Sequence, residues 1–178
     1  MPDDLRVREA THADVEAAGR ICVDAYSQSG QLDDDADHGY SRTLADAGAR
    51  MTGAHLLVAT RDDVVVGTVT LCPEGSPFRE MAREHEMEFR FLAVAPSAWG
   101  TGVSEALIEA CEDYARAAGA RTMVIGVRDT NVAAEALYAR RGFVRAPERD
   151  WRPVPTVFLL GFQRMVGPTG LEPMTSSL

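Results

Sequence analysis

The sequence predicts an α+β fold, built on a mixed, mostly antiparallel and twisted sheet with a β-α-β unit at its centre. Two β-branched runs, residues 55–60 and 64–71, are joined by a three-residue turn, and this pattern predicts an antiparallel hairpin. A strand at 87–96, a strongly amphipathic helix at 103–118 and a strand at 122–127 follow. That succession is typical of a parallel crossover, so we expect both kinds of strand pairing in one sheet.

The elements before the hairpin follow from simple patterns. Residues 5–10 alternate in polarity, which predicts a first strand. Thr11 is a typical helix N-cap, and apolar residues at helical spacing continue to residue 27. A loop rich in glycine and aspartate, residues 28–40, separates this helix from a shorter one predicted at 41–51.

The segments around the β-α-β unit are equally readable. Residues 72–86 lack periodicity and predict a loop before the central strand. The central helix ends at Gly119, a typical C-terminal cap. A second helix is predicted at 131–141, and it ends at Gly142 for the same reason.

The C-terminal part completes the sheet. Two strands are predicted at residues 143–146 and 156–166, and a proline-rich connection separates them. Residues 1–166 are therefore expected to form one domain. Residues 167–178 contain two prolines and show no periodicity, which predicts a flexible tail.

Composition narrows the possible functions. A chain of 178 residues is long enough for one domain with a sizeable core. Its formal net charge of −9 disfavours nucleic acid as a partner, because phosphate backbones bind basic surfaces. No apolar run approaches the ~20 residues of a membrane span, and the N-terminus lacks a signal pattern. We therefore expect no membrane partner and a cytoplasmic location. The cysteines Cys22, Cys72 and Cys111 show no metal-ligand spacing, and reduced, buried thiols are expected.

One glycine-containing segment carries a chemical signal. Residues 93–104 read AVAPSAWGTGVS and lead from the central strand directly into the helix. The first turn of a helix has unpaired N–H groups and partial positive charge, and Thr101 and Ser104 add hydroxyl groups. Gly100 and Gly102 leave space in front of them, so the pattern predicts a cradle for phosphate oxygens. A tight turn without a ligand is the alternative. The Walker and dinucleotide-binding glycine patterns do not match.

Two longer segments carry a resemblance to a known family. LAVAPSAWGTGVSEALIEACEDYARAAGA and NVAAEALYARRGFV are similar to the signatures of the GNAT superfamily of acyl-CoA-dependent N-acetyltransferases. The first signature is a strand ending in Val-x-Pro, then Arg/Gln-x-x-Gly-x-Gly/Ala opening a helix. The second is Asn-x-x-Ala-x-x-Leu-Tyr-x-x-x-Gly-Phe, which this chain matches from Asn131 to Phe143. The resemblance implies the GNAT fold from about residue 5 to 166.

The resemblance also implies acetyl-CoA as the co-substrate and assigns its binding residues. The central strand is expected to meet the pantetheine and the acyl group, the glycine loop to hold the pyrophosphate, and the next helix to complete the site. The residues are Leu92, Ala93, Val94, Trp99, Gly100, Thr101, Gly102, Val103, Ser104, Asn131 and Tyr138. Asn131 is also expected to cap its helix.

Two loop residues depart from the family pattern. Trp99 stands where the family usually has Arg or Gln, and Ser104 stands where it has Gly or Ala. Loss of a cation beside two phosphates is expected to weaken binding, on the order of 1–3 kcal/mol. We expect the Trp99 ring to cover the end of the helix, with contact to the pantetheine or adenine as the alternative.

Acetyl transfer to an amine needs a proton acceptor for the amine and a proton donor for the leaving thiolate. The predicted strand places the even residues of 86–94 on one face. The resemblance implies that Glu88 lies where members of the family often carry a carboxylate facing the amine. Glu88 is therefore the leading base and Glu86 the second, with a surface ion pair as the alternative role of Glu88. Tyr138 is the expected acid by resemblance, and a core aromatic is its alternative role.

The acceptor is the least defined part of the prediction. The resemblance places the acidic loop, with Asp33, Asp34, Asp35 and Asp37, at the wall of the acceptor site, where it either attracts a cationic amine or is simply solvated. The loop does not match a calcium site, because Leu44 occupies the position that needs a glutamate, and no metal is expected.

Two functions remain open from the sequence: acetyl transfer to a primary amine of a small molecule or protein, and non-catalytic acyl-CoA binding. The oligomeric state also stays open, a homodimer being one expectation.

Overall fold

The computed structural model describes residues 4–35 and 38–167. Asp37 and residues 168–178 of the predicted tail lie outside them. The described chain contains eight strands: β1 Leu5–Glu9, β2 His55–Arg61, β3 Val64–Cys72, β4 Glu86–Val94, β5 Thr122–Arg128, β6 Val144–Arg145, β7 Trp151–Val154 and β8 Val157–Met165. It also contains five α-helices: α1 Val15–Gln28, α2 Gly39–Ala45, α3 Ala47–Gly53, α4 Val103–Ala117 and α5 Val132–Arg140. Over these residues, no helix combines the length and apolarity that crossing a membrane requires.

The strands form one sheet in the order β1-β2-β3-β4-β5-β8-β6, and β7 pairs with β8. Strands β4 and β5 run parallel, and every other pairing in the described chain is antiparallel. The predicted mixed, mostly antiparallel sheet is confirmed, with β4-α4-β5 as its central β-α-β unit.

Helices cover both faces of the sheet. Side chains of each strand alternate between the two faces, so one strand can pack against helices on both sides. In β2, Leu57 and Ala59 belong to the core cluster that includes the apolar side of α4. Leu56 and Val58 of the same strand pack instead with residues of α1 and α3. The core therefore has two halves, and the sheet lies between them.

The second predicted helix is interrupted. Residues 41–51 were predicted as one helix, whereas the structure has α2 and α3, which meet at Asp46. The backbone of Asp46 has φ −85° and ψ 66°, outside the helical region, and its side chain accepts a hydrogen bond from the Ala49 N–H at 3.0 Å. Aspartate is a preferred N-cap, and this preference ends one helix and begins the next.

Two other boundaries differ from the prediction. The first helix begins at Val15, after a 3-10 turn, and not directly after Thr11. The proline-rich connection near the C-terminus contains β7, which pairs with β8 through Trp151 and Val154. Pro153 lacks an N–H group, but β7 has a strand partner on one side only within the described chain, where a missing donor is tolerated.

Candidate functional site

The candidate site begins at a bulge in β4. Before the bulge, Phe89 packs on the α4 side of the sheet, whereas Phe91 and Ala93 after it pack on the α1 side. Phe91 has a positive φ of 56°, and the register against β3 shifts at this point. The prediction that even residues share one face throughout 86–94 is therefore wrong. The bulge reverses which side chains of β4, odd or even, point to the α1 side of the sheet.

Strands β4 and β5 separate beyond the bulge. In the described chain they pair through Glu86–Glu88 and Thr122–Val124, although both strands continue further. A cavity of about 830 Å³ lies where the strands diverge. Seven of the predicted cofactor-binding residues line it: Leu92, Ala93, Val94, Trp99, Ser104, Asn131 and Tyr138.

A smaller cavity of about 330 Å³ adjoins the first and shares Val94, Trp99 and Ser104 with it. Its wall also includes the predicted loop residues Gly100, Gly102 and Val103. The sequence-predicted cofactor residues are thus brought together, with one exception. Thr101 lines neither cavity, and its hydroxyl donates to the Ala98 carbonyl at 2.6 Å.

The loop before α4 exposes its backbone amides. Gly100 and Gly102 have φ of 74° and 86°, a left-handed conformation that favours glycine. A Cβ atom at either position would meet no atom within 4 Å, so the space in front of the loop is open. Within the described residues, the backbone N–H groups of 102–105 have no acceptor among the turn and cap hydrogen bonds. Adjacent unpaired N–H groups at a helix N-terminus form a suitable site for phosphate oxygens.

Side chains around the loop before α4 hold its backbone in place and bring positive charge close to it. The Trp99 indole Nε1 donates to the Val94 carbonyl at 2.8 Å, so the ring joins the end of β4 to the loop. Arg61, the last residue of β2, donates to the Thr101 hydroxyl at 2.9 Å and to the Thr101 carbonyl at 3.1 Å. Arg140, the last residue of α5, lines the smaller cavity. The sequence interpretation missed both arginines, since neither belongs to the loop itself.

Tyr138 lies in the cavity wall and in the core at once. Its ring packs edge-to-face against Phe89 and Phe143, with centroids 5.7 Å and 5.6 Å away. The residue is 4% exposed. Burial raises the pKa of its hydroxyl above the ordinary value, and Cys111 nearby raises the pKa further. The phenol is therefore fully protonated at neutral pH, as a proton donor must be.

Asn131 caps α5, as its position in the sequence predicts. Its side-chain oxygen accepts a hydrogen bond from the Ala134 N–H at 3.1 Å. The same residue lines the larger cavity. The cap fixes the start of the helix that carries Tyr138.

The two predicted base candidates differ in their surroundings. Glu88 lines the larger cavity but is 1% exposed, and its oxygens accept hydrogen bonds from the backbone of a neighbouring loop. Glu86 lies outside the cavity wall and pairs with Arg149, whose Nη1 is 2.8 Å from Oε2. Burial raises the pKa of Glu86, but hydrogen bonds from Arg149 and from the Arg83 backbone outweigh it and lower the pKa overall.

Two aspartates of the acidic loop have structural partners. Asp34 pairs with Arg128 at the end of β5. Asp35 accepts hydrogen bonds from the N–H groups of Tyr40 and Ser41 at the start of α2, and from the Ser41 hydroxyl. These hydrogen bonds, those from Ser41 foremost, lower the pKa of Asp35 to about 2. Both aspartates nevertheless line the larger cavity, so this segment is part of its wall.

The wall of the larger cavity near these aspartates also contains residues that no sequence pattern predicts as site residues. They are Tyr26, Tyr40, Phe78, Glu80 and Arg90. Tyr26 follows the apolar spacing of α1 and was assigned to the core, while Glu80 lies in a loop without periodicity. No sequence pattern connects these positions, because folding alone brings α1, α2 and the β3–β4 loop together. Among the described residues, no cluster of histidine, cysteine or carboxylate side chains is arranged to hold a metal ion.

Comparisons with known proteins agree with this geometry. The model of the acetyltransferase (GNAT) family matches residues 20–143. An N-acetyltransferase from Staphylococcus aureus Mu50 has a similar structure, with 20% identity, a TM-score of 0.68, and coverage of 92% of this chain and 99% of that chain. The yncA protein from Salmonella typhimurium, solved with its cofactor acetyl-CoA, has 23% identity, a TM-score of 0.67, and coverage of 96% of this chain and 98% of that chain.

The ribosomal-protein-S18-alanine N-acetyltransferase from Escherichia coli has 20% identity, a TM-score of 0.67, and coverage of 94% of this chain and 97% of that chain. At these identities the likeness shows a shared fold. Comparison with curated protein sequences gives no match.

Proposed function

This chain belongs to the GNAT family of acetyltransferases, and from that premise we propose that it transfers an acetyl group from acetyl-CoA to a primary amine. The acceptor is a small molecule or a protein, and the amine attacks directly while both substrates are bound. The observation that carries the proposal is the continuity of the site. The amide-rich loop before α4, the open edge of β4 and the Tyr138 side chain all border two adjoining cavities.

The residues present fit a CoA thioester. The unpaired N–H groups of residues 102–105 suit its pyrophosphate. Arg61 and Arg140 bring positive charge beside the loop, whereas the Trp99 side chain is neutral. The edge of β4 after the bulge has no β5 partner in the described chain, so its backbone is available to the amides of the pantetheine. When bound, acetyl-CoA supplies an activated carbonyl and a thiolate leaving group.

The protein's own part in the chemistry is proton transfer and positioning. A primary amine is mostly protonated at neutral pH and must lose a proton before it attacks. We assign Tyr138 to donate its hydroxyl proton to the leaving sulfur, because the residue lines the cavity and its phenol is protonated at neutral pH. Glu88, the predicted base, lines the same cavity.

Direct attack is supported by the state of the cysteines. Cys22, Cys72 and Cys111 are all fully buried. Burial raises the pKa of Cys22 to about 11 and that of Cys72 to about 12, and it raises the pKa of Cys111 as well. A buried, protonated thiol is a poor nucleophile, so a covalent acetyl-cysteine intermediate is disfavoured.

The class of acceptor follows from the family and the cavity. The E. coli neighbour acts on the alanine of ribosomal protein S18, which makes a protein amine one reasonable acceptor here. The cavity also bears aromatic side chains and a carboxylate next to the diverging strands, which suits a small amine with an apolar body.

The test is amine-dependent release of CoA from acetyl-CoA. The purified protein is incubated with acetyl-CoA and a panel of primary amines, including short peptides with free N-termini, and CoA binding is measured in parallel by calorimetry. We expect CoA release with at least one amine and a matching acetylated product. Binding of CoA without release for any amine would favour the non-catalytic acyl-CoA-binding function.

A further inference from the structure

Two glutamates line the larger cavity, and they are held in different ways. The Glu88 oxygens accept four hydrogen bonds, at 2.6 to 3.1 Å, from the backbone N–H groups of Glu80, Met81 and Ala82. The Glu80 side chain is 26% exposed, and within the described chain no backbone N–H donates to its carboxylate. Glu88 is thus enclosed by protein donors, whereas Glu80 is open to the cavity.

A single arginine fixes the direction of the Glu80 side chain. Arg90 Nη2 lies 2.9 Å from Glu80 Oε1. The same guanidinium donates to the Phe78 carbonyl at 2.8 Å and stacks over the Phe91 ring at 4.4 Å. Because Arg90 is held on three sides, Glu80 has a defined position beside the aromatic wall of the cavity.

Glu88 determines where the Glu80 backbone lies. Both of its oxygens accept from the Glu80 N–H, at 3.1 Å and 3.0 Å. The loop between β3 and β4 has no regular structure of its own, and these hydrogen bonds fix its Glu80 segment on β4 beside the bonds that Arg79 and Arg90 make. Loss of the Glu88 carboxylate would release the segment that carries Glu80.

We propose that Glu80 is the catalytic base that removes the proton from the acceptor amine, and that Glu88 is a positioning residue acting through the loop backbone. This inference rests on the proposed acetyl transfer and replaces the sequence-based assignment of the base to Glu88. Glu80 has the accessibility that contact with a substrate requires, and Glu88 does not.

The charges around Glu80 are compatible with this role. Arg90 and Glu88 face it from β4, Tyr40 from α2 and Cys72 from β3. Burial raises the pKa of Glu80, the Glu88 charge also raises it, and Arg90 opposes both without cancelling them. A carboxylate that is a stronger base than an ordinary glutamate takes a proton from an ammonium group more readily.

The proton balance of the step is simple. Glu80 takes one proton from the ammonium form of the acceptor, and the freed lone pair forms the new C–N bond. Tyr138 gives its proton to the sulfur as the C–S bond breaks. One of the two protons left on the attacking nitrogen then passes to the Tyr138 oxygen, and the other stays on the amide nitrogen. Glu80 then releases its proton to solvent, so one proton is released for each amide formed from an ammonium ion.

The experiment compares Glu80→Gln, Glu88→Gln and Glu84→Gln, the last being an exposed glutamate of the same loop with a side chain 81% exposed. Rates are measured across pH with the fastest amine of the panel. They are also measured with benzylamine and phenylhydrazine, which have nearly the same shape. Benzylamine is mostly protonated at neutral pH and phenylhydrazine is mostly neutral. CoA affinity and thermal unfolding are recorded for every variant.

We expect Glu80→Gln to lower the rate with benzylamine by ~10²–10⁴-fold at neutral pH, and to recover as the pH rises. Its loss with phenylhydrazine should be much smaller, because that nucleophile needs no base. Glu88→Gln should also lower the benzylamine rate more than the phenylhydrazine rate and recover at high pH, but by a smaller factor than Glu80→Gln, since it displaces the Glu80 carboxylate without removing it. Glu84→Gln should match the unmodified protein.

Two results would overturn the inference. One is a folded Glu80→Gln protein with full activity towards benzylamine. The other is a pH-rescued loss specific to benzylamine in Glu88→Gln and not in Glu80→Gln, which would return the role of base to Glu88. Acetyl transfer by the unmodified protein is established separately in the same assays, so failure of the Glu80 role is distinguishable from failure of the proposed function.

Discussion

At the scale of single residues, Tyr138 belongs both to the hydrophobic core and to the proposed catalytic site. Its ring packs against Phe89 and Phe143. The same residue lines the larger cavity. Tyr138→Phe keeps the ring and removes the proton donor. We expect turnover to fall by ~10²–10⁴-fold, with unfolding temperature and CoA affinity nearly unchanged. High pH should not restore the rate, because the thiolate departs after the amine has attacked.

The matched control for this substitution is Tyr114→Phe. Tyr114 lies on α4, 6.3 Å from the ring of His55 and outside both cavities. Its variant should keep full turnover. A fully active Tyr138→Phe protein would remove the acid role and leave the residue with packing alone.

A second residue-scale prediction concerns stability and pH. The Arg8 guanidinium, at 2.7 Å, lowers the pKa of Asp14 from 3.8 to about 2 against the effect of burial, and Thr11 adds hydrogen bonds. Because the folded pKa is depressed, the stabilisation is present above the unfolded value and is lost as the pH falls through about 2. Asp14→Asn should lower the free energy of unfolding by about 1–2 kcal/mol at pH 7.

This effect is measured by denaturant unfolding at several pH values. The difference between Asp14→Asn and the unmodified protein should shrink between about pH 4 and pH 2. Asp113→Asn is the control, because Asp113 is an exposed acid on α4 with a side chain 72% exposed. A difference for Asp14→Asn that stays constant over this range would contradict the role assigned to its charge.

Residues differ in how far the sequence could place them. Asn131 and Tyr138 stand in a local motif, so spacing alone predicted their neighbourhood. Glu88 is predicted on the correct strand, but its three backbone donors come from a loop that has no sequence pattern of its own. No sequence pattern points to Glu80 as a site residue, because its approach to Arg90 depends on how that loop folds back onto β4.

At the scale of elements, the start of α4 carries the clearest prediction. Gly102 has φ 86°, and a valine there is strained by roughly 1–2 kcal/mol while it crowds the space before the exposed amides. Gly102→Val should therefore weaken CoA binding, as measured by calorimetry. Gly119→Val is a matched control at the other end of α4, with φ 78° and equally open space.

Both valine variants should lose similar stability, and Gly102→Val alone should lose CoA affinity. Equal CoA affinity in the two folded variants would contradict a phosphate site at the start of α4.

Helices and strands are predictable where the sequence shows a hydrophobic periodicity or a helix-capping residue. The helix α4 and the hairpin of β2 and β3 show strong periodicity and were placed within about two residues of their observed ends. The break between α2 and α3 depends on a capping aspartate inside a helical pattern, and β7 depends on its pairing with β8. The bulge at Phe91 has no local signal, because a phenylalanine with positive φ is held there by packing against α1 and α2.

At the scale of the whole molecule, the separation of β4 from β5 turns a packed sheet into an open site. The parallel pair is joined at its beginning and open at its end, and the two cavities lie at that opening. The amide-rich loop borders the smaller cavity, and the aromatic and acidic residues line the larger one. Two substrates can therefore meet at the sheet without exchanging places, as direct transfer requires.

The measurement that tests this account most directly is the initial rate of CoA release, with acetyl-CoA varied at several fixed amine concentrations. Direct transfer with both substrates bound predicts double-reciprocal lines that intersect, and an acetylated amine formed in equal amount to CoA. Parallel lines would indicate an acetylated enzyme intermediate, which the buried cysteines disfavour. Parallel lines, or CoA release that does not depend on the amine, would contradict the account.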